Sequence, residues 1–252
     1  MKPAARLYAI FDHIEKFGDT PLVDLAKLFS VSEMTIRRNV ESLEAEGAVK
    51  IRLGVVTRGA NTSYEPPFSI RAERNAREKQ DIAESIALEV VDGESIIIDG
   101  GSTGVALAKA LIDRKITVCT PSLRVANILV TGSQIQLIIP GGFLRKPEET
   151  FIGASTIQAL SNYRFDNYFM TVSGVDLTNG CTEWNSEDAA IKQAAMRVSA
   201  KTTVIADSKK FGRVAFAHIC DLGSVKKIVT DRKLKPELVK SYAAQKFNVQ
   251  RV

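Results

Sequence analysis

Val31 to Gly47, VSEMTIRRNVESLEAEG, carries the signals for both ends and both faces of one helix. The Ser32 hydroxyl is suited to accept from the free N–H groups of a first turn, and Glu33 suits the positive end of the helix dipole. Val31 before the cap and Ile36 four places into the helix have the spacing of a hydrophobic staple. Gly47 supplies the left-handed residue on which helices end.

Between those ends Ile36, Val40 and Leu43 recur at the i, i+4, i+7 spacing of a buried stripe. At about 100° per residue, Met34, Thr35 and Arg38 fall opposite or beside that stripe near the N-terminal end, with Arg37 on its flank. A recognition helix presents itself to a DNA major groove in this way, and arginine can bond two acceptors on a guanine edge or clamp a phosphate. An ordinary solvated amphipathic helix shows the same pattern, so the neighbouring segments decide between the two.

Upstream, Leu7, Ile10, Phe11 and Ile14 form an apolar stripe closed by Gly18. Thr20 is placed to cap a second helix with Pro21 at its first position, and Leu22, Leu25, Ala26 and Phe29 form its buried side. Three short helices, each with one apolar face, can bury one another within fifty residues. Downstream, Val49, Ile51, Leu53 and Val55 alternate with Lys50, Arg52 and Gly54, the period of a half-exposed strand. The set is a winged helix-turn-helix, with Lys50, Arg52 and Arg58 beside the helix, where cations meet phosphates or enter the minor groove. Glu41, Glu44 and Glu46 confine the basic surface to one face. The predicted DNA-contacting residues are Ser32, Met34, Thr35, Arg37, Arg38, Lys50, Arg52 and Arg58.

Residues 1–60 form this module, and 61–79, with Pro66-Pro67 and the charged run RAERNAREKQ, read as a linker and connecting helix. The boundary is expected near Thr62. Residues 80–252 form a second, larger domain, and a chain of 252 residues accommodates both. Ile82, Ile86 and Val90 carry the connecting helix to the turn at Asp92-Gly93. From Glu94 the runs SIIID, ITVCT, IQLII, NYFMTVS, TTVIA and KKIVT read as buried strands, separated by helices such as GVALAKAL and EDAAIKQAAMRVSA. The expectation is an α/β domain with a mainly parallel sheet, whose ligands bind outside the carboxyl ends of the strands.

The loops at those ends hold a coherent set of residues. Asp99 runs into Gly100-Gly101-Ser102-Thr103-Gly104, where amides, two hydroxyls and a helix N-terminus converge as an anion site. The lysine spacing of a P-loop is absent. Ser122 and Leu123 open another helix, and Gly141-Gly142 lead to Arg145, a candidate clamp for phosphate or carboxylate. Ser173, Asp176, Glu183 and Glu187, then Asp207 and Lys210, supply carboxylates suited to sugar hydroxyls and a balancing cation. Glu183 and Asp188 read equally well as caps or surface ion pairs, and Trp184 as core or as the cover of a sugar face.

Hydrophobic content of 45%, charged content of 25% and a formal charge of +5 are those of a soluble globular protein and permit nucleic-acid binding without requiring it. Cys119, Cys181 and Cys220 are far apart, odd in number and read as packing residues in a reducing compartment. No apolar run has the length of a membrane span, and the N-terminus does not read as a signal peptide, so the expected location is cytoplasmic. With His13 and His218 alone, a histidine-rich metal site is not expected, and no cofactor is implied.

FSVSEMTIRR with LEAEG, followed in order by IDGGSTG, PGGFLR and DSKKFGR, resembles the DeoR-type bacterial transcription regulators over nearly the whole chain. Members usually carry Asp where Asn39 stands and a His-Gly-Gly wing where this chain reads RLGVV, departures that bear on wing geometry and operator sequence. The resemblance implies an effector domain like that of sugar-phosphate isomerases, binding a phosphorylated sugar or related metabolite, and supports Asp207 and Lys210 as effector residues.

The leading expectation is a repressor of a carbohydrate catabolism operon, binding double-stranded operator DNA as a dimer or tetramer and released by its effector. The rival is a sugar-phosphate isomerase or transferase with Asp176, Glu183 or Glu187 as general base and Lys210 holding charge. An N-terminal DNA module argues against that rival. A third reading, an architectural DNA-binding module, predicts no ligand response.

Overall fold

The computed structural model describes residues 3–45, 47–59, 65–146 and 148–252, the side chains of 3–5, 8 and 15 aside. Glu46, residues 61–64 and the expected boundary at Thr62 lie outside the described residues. The chain divides into two compact units, Met1–Arg74 and Asn75–Val252.

The smaller unit contains α1 (Pro3–Phe17), β1 (Thr20–Pro21), α2 (Leu22–Leu28), α3 (Glu33–Ala45), β2 (Val49–Arg52), β3 (Val55–Arg58) and α4 (Phe68–Glu73). The strands form an antiparallel sheet in the order β1-β3-β2, the wing of a winged helix. Ile10, Phe11, Ile14, Leu22, Leu25, Ile36, Val40, Leu43, Val49 and Val56 share one apolar core. At the start of α3 the Thr35 N–H donates to the Ser32 hydroxyl at 3.2 Å. At its end Gly47 takes φ +75°, and the amides of Gly47 and Ala48 return to the carbonyls of Glu44 and Leu43.

Three expectations are corrected here. Thr20 does not cap α2: it pairs with Val56, and Pro21 occupies the cap position, because pairing with β3 outweighs local cap preference. Leu53 is not on an inward strand face but forms, with Gly54, the fully exposed tip of the β2–β3 hairpin, at φ +50° and +76°. Two central residues with positive φ match the twist of flanking strands. The smaller unit also extends beyond residue 60, since α4 inserts Ile70 into its core. The charged run is therefore broken, Asn75 turning the chain at φ +52° before α5 begins.

The larger unit runs through α5 (Ala76–Glu89), β4 (Ser95–Ile98), α6 (Gly101–Ala110), β5 (Thr117–Cys119), α7 (Leu123–Leu129), β6 (Gln136–Ile138), β7 (Phe143–Arg145), β8 (Thr150–Ile152), α8 (Ala154–Ser161) and β9 (Phe165–Met170). It continues with β10 (Gly174–Asp176), β11 (Gly180–Glu183), α9 (Ser186–Arg197), β12 (Ser199–Ile205), β13 (Ala217–Cys220), β14 (Lys227–Thr230), α10 (Pro236–Ala244) and β15 (Val249–Arg251). Seven strands form one parallel sheet in the order β15-β14-β12-β9-β4-β5-β6. All six runs read as buried strands belong to it.

Alternation along the strands builds two apolar layers. Ile96, Ile98, Val118, Phe169, Ile205 and Val229 pack with α5, α6 and α7. Ile97, Cys119, Tyr168, Met170, Val204 and Ile228 pack on the other side with α8, α9 and α10. The chain runs outward from β4 through β5 to β6, then returns to the other side of β4 at β9 and continues to β15. The order therefore reverses between β4 and β9, the topological switch point at which open α/β sheets form a crevice.

Candidate functional site

On α3 the exposed side carries Met34, 59% accessible, and Arg38, which makes no hydrogen bond or ion pair among the described residues. Arg37 is exposed and lies 3.7 Å from Glu33. Thr35 is half-buried, its hydroxyl 2.8 Å from that of Ser32, so both hydroxyls serve the first turn. Asn39 accepts from Arg6 Nε at 2.7 Å, which ties α3 to α1. On the wing, Lys50 and Arg52 stand opposite Thr57 and Val55 on the outward face, beside a shallow cleft that also touches Asp19 and Leu53. Arg58 differs from them. Its Nε donates to the Ile14 carbonyl at 3.2 Å, bracing β3 against the end of α1. The Glu44 carboxylate accepts from Ile51 N–H at 2.7 Å and locks the hairpin to α3.

At the switch point of the parallel sheet, Asp99 follows β4 and Thr171 follows β9. The Asp99 carboxylate accepts from Gly100 N–H at 2.8 Å, Thr171 N–H at 3.1 Å and the Thr171 hydroxyl at 3.0 Å. Lys192, on α9 and only 5% exposed, donates to Asp99 and to the Thr171 carbonyl and lies 3.2 Å from Glu183. Glu183 accepts in turn from the Ser173 hydroxyl and from the Trp184 N–H. Three charged side chains thus alternate in sign across the crevice.

Burial pushes the Glu183 carboxyl up, but Lys192, the Ser173 hydroxyl, the Trp184 N–H and Lys210 outweigh it and hold the group below its ordinary value. Burial opposes the charge of Lys192, yet Asp99 and Glu183 raise it above the usual lysine range. The Tyr168 phenol is pushed far up by burial and then by Asp99, so it remains protonated.

Beside this network, α6 starts at Gly101, φ +78°, and its cap residue is Gly100, so no side-chain cap is made there among the described residues. A Cβ at Gly104 would fall 2.1 Å from the Asp99 carbonyl, so the close return of this loop requires glycine. Ser102 is half-buried and Thr103 buried. The next loop reaches the same place, since a Cβ on Gly100 would meet Thr150 and Ser122 at 3.1 and 3.5 Å.

Several candidates are already engaged. Ser122 is wholly buried and caps α7, accepting from Val125 N–H at 3.4 Å, while Leu123 N–H donates to the Glu149 carbonyl at 2.8 Å. Arg145 pairs with Asp188, which also accepts from the Thr150 hydroxyl at 2.7 Å. Asp188 is thus a buried partner rather than a surface ion pair, and burial raises its pKa beyond what Arg145 and Thr150 recover. Gly141 and Gly142 hold the backbone against Thr156, whose hydroxyl donates to the Gly141 carbonyl at 2.6 Å. Asp207 is buried, caps the turn Ser208–Lys210 through Lys209 N–H at 3.0 Å and accepts from Asn75 Nδ2 at 3.0 Å.

Asp176 and Glu187 do not join the network. The Asp176 carboxylate closes the β10–β11 turn, accepting from Thr178 and Asn179 N–H at 3.0 and 2.8 Å. Glu187 is exposed on the first turn of α9, which Asn185 caps. Sequence reasoning does not single out Lys192, Thr171 or Tyr168. The one sequence signal for Lys192 is its place on the stripe of α9 that includes Ala189 and Ala195.

Among the described residues no group of His, Cys, Asp and Glu side chains is arranged to hold a metal ion, and no helix is long and apolar enough to cross a membrane. The model of the DeoR-like helix-turn-helix domain matches residues 6–58, and that of the DeoR C-terminal sensor domain matches residues 74–232. The chain belongs to the DeoR family of transcriptional regulators. The HTH-type transcriptional regulator YulB of Bacillus subtilis (strain 168) is 32% identical over 249 residues, 99% of this chain and 96% of that protein. The glycerol-3-phosphate regulon repressor of Escherichia coli (strain K12) is 29% identical over 235 residues, 92% of each. The transcriptional repressor GlcR of Bacillus subtilis is 28% identical over 228 residues, 90% of this chain and 88% of its own. Among solved structures, ribose 5-phosphate isomerase A of Methanocaldococcus jannaschii aligns over 55% of this chain and 56% of its own with a TM-score of 0.42 and 16% identity, too loosely to carry a functional argument. The regulator is thus a DNA-binding protein with a sensor domain, and family membership sets aside the isomerase or transferase reading.

Proposed function

We propose that this regulator is a repressor of a carbohydrate catabolism operon and that a phosphorylated sugar releases it from its operator. The observation that carries the ligand reading is the pairing, at one switch point, of an uncapped glycine-rich helix start with the buried Asp99–Lys192–Glu183 chain. The α6 amides and the positive end of its dipole suit a phosphate. The carboxylates suit hydroxyls, which can donate to them, and repel a phosphate. A ligand with both ends fits, whereas a free sugar or inorganic phosphate satisfies only half. Ser102, Thr103, Glu183 and Lys210 are the assigned effector residues on this reading, joined by Thr171 and Lys192.

On the DNA side Arg38 is the proposed base reader, with Ser32, Met34, Thr35 and Arg37 around it and Lys50 and Arg52 on phosphates. The relatives named as repressors support repression as the sign of control. Two helical turns of operator call for two modules, so the working form is a homo-oligomer acting in the cytoplasm. Release requires the effector to bind the DNA-incompetent state more tightly than the competent one.

The test is a mobility shift of the full-length protein on DNA flanking its own gene, with glycerol 3-phosphate, glucose 6-phosphate, fructose 6-phosphate and fructose 1-phosphate added in turn. Selective binding abolished by one of them is the expected result. Selective binding indifferent to all of them and to further sugar phosphates would remove the effector reading, and binding that strengthened on addition would reverse the sign of control.

A further inference from the structure

Trp184 is 7% exposed, yet it belongs to neither apolar layer of the larger unit. Its indole Nε1–H is buried and has no hydrogen-bond partner among the described residues. Indole is a donor only, so the group has no alternative use, and a buried donor without an acceptor weakens the fold unless something else supplies the acceptor. The residue is also fixed in place. Its backbone N–H bonds Glu183 at 2.8 Å, the next residue, Asn185, caps α9, and the Arg213 guanidinium lies over the ring, 5.0 Å from its centroid. A residue held between the Glu183 carboxylate of the charged network and a capped helix, with its one polar side-chain atom unsatisfied, is preorganised for a contact.

We propose that Trp184 is a specificity-determining residue of the effector site, its indole N–H donating to an acceptor oxygen, hydroxyl or carbonyl, on the organic part of the effector. The inference rests on the effector reading above and adds to it a donor that selects among phosphorylated sugars. Asp99 and Glu183 accept from hydroxyls, while Trp184 reads an oxygen that must accept. Phosphorylated compounds lacking an acceptor at that point leave the indole N–H buried and unpaired and bind more weakly for that reason.

Trp184 is the single tryptophan of the chain, so intrinsic tryptophan emission reports on this residue alone. The experiment titrates the full-length protein and its Trp184→Phe variant with inorganic phosphate and with the four sugar and polyol phosphates named above. It records DNA release, thermal shift and, for the parent protein, emission. Phenylalanine keeps an aromatic face for Arg213 while removing the donor and part of the ring, and the inorganic-phosphate arm separates a general loosening of the site from loss of the donor. The expected result is a saturable change in emission by the releasing compound, about tenfold weaker binding of that compound to the variant, and unaltered binding of inorganic phosphate. If a compound releases DNA but leaves emission unchanged and binds both proteins equally, the role of Trp184 is wrong while the effector reading stands. Equal weakening for inorganic phosphate would also overturn the assignment to the organic part. If no compound releases DNA or shifts melting, the effector reading fails and this inference fails with it. Should the variant not fold, the parent emission titration decides: a saturable change supports the contact and its absence overturns it.

Discussion

Replacing Lys192 with methionine tests whether the charges at the switch point form one unit. Methionine matches the length of the stem and removes the ammonium, which leaves Asp99 and Glu183 facing each other in a buried site. Removing one partner of a buried ion pair costs about 3–5 kcal/mol because the other charge is left uncompensated. With a urea m-value of about 2 kcal/mol/M, the unfolding midpoint of the larger unit should fall by roughly 1.5–2.5 M at pH 7.5. Trp184 emission follows this transition, since the only tryptophan lies in that unit. The pH dependence gives the sharper check. In the parent protein the folded pKa of Glu183 is lowered, so its contribution is present above the unfolded value, about 4.3, and is lost as pH falls through the folded value. Without Lys192, burial dominates and the folded pKa rises above the unfolded one. The methionine variant should therefore be penalised most at neutral pH and recover relative to the parent toward pH 4, as the stranded Glu183 carboxyl takes up a proton. Glu183→Gln in the same chain should restore about 1–3 kcal/mol, a non-additivity expected of groups in one network. A penalty under about 1 kcal/mol, or one that grows toward acid, would refute the reasoning.

Arg38→Ala should weaken operator binding by about 1–3 kcal/mol while leaving binding to random DNA nearly unchanged. Equal losses on both in a competition mobility shift would move Arg38 from a base to a phosphate. Gly101→Val places a β-branched residue at φ +78° where α6 begins and should lower the melting temperature by a few degrees, at about 1–2 kcal/mol of strain. That variant should still bind operator but no longer release it, and release at the parent effector concentration would clear the loop of a binding role. Leu53→Asn creates the Asn-Gly pair preferred in a hairpin turn of this kind and should stabilise the smaller unit by about 0.5–1 kcal/mol, read from its urea midpoint by far-ultraviolet circular dichroism. No gain would mean that the tip holds Leu53 without strain.

What could be read from the sequence divides along the range of the forces involved. Ser32, Gly47, the Ile36–Val40–Leu43 stripe and the isoleucines of β4 act through neighbours a few residues away, so their spacing announces α3 and the first strand of the parallel sheet. Thr20 and Pro21 show where that logic ends. The local pattern Thr-Pro suits a helix start, but Val55 and Val56, thirty-odd residues later, draw the pair into a sheet. Ile70 behaves likewise: within a charged segment after two prolines it looks incidental, and only the core of the smaller unit gives it a place. The antiparallel strands β10, β11 and β13, of which β10 begins just after Ser173 and β11 ends in Glu183, are too short and irregular to show a period.

The candidate loops could be read from the sequence, whereas the charged cluster beside them could not, for an electrostatic reason. A lysine in EDAAIKQAAMR is an ordinary helix-surface residue until its partners are known, and they are Asp99, on the strand-end loop of a different βα unit, and Glu183. Each of the three charges would be costly to bury alone, so none has meaning as a buried residue without the other two. Such an arrangement gains little over apolar packing, and a domain under selection for stability alone has no reason to keep it. On the proposed reading, its position at the reversal in strand order beside the glycine-rich start of α6 gives it a use: hydroxyls entering the crevice would meet acceptors held in place by Lys192, with no reorganisation to oppose binding.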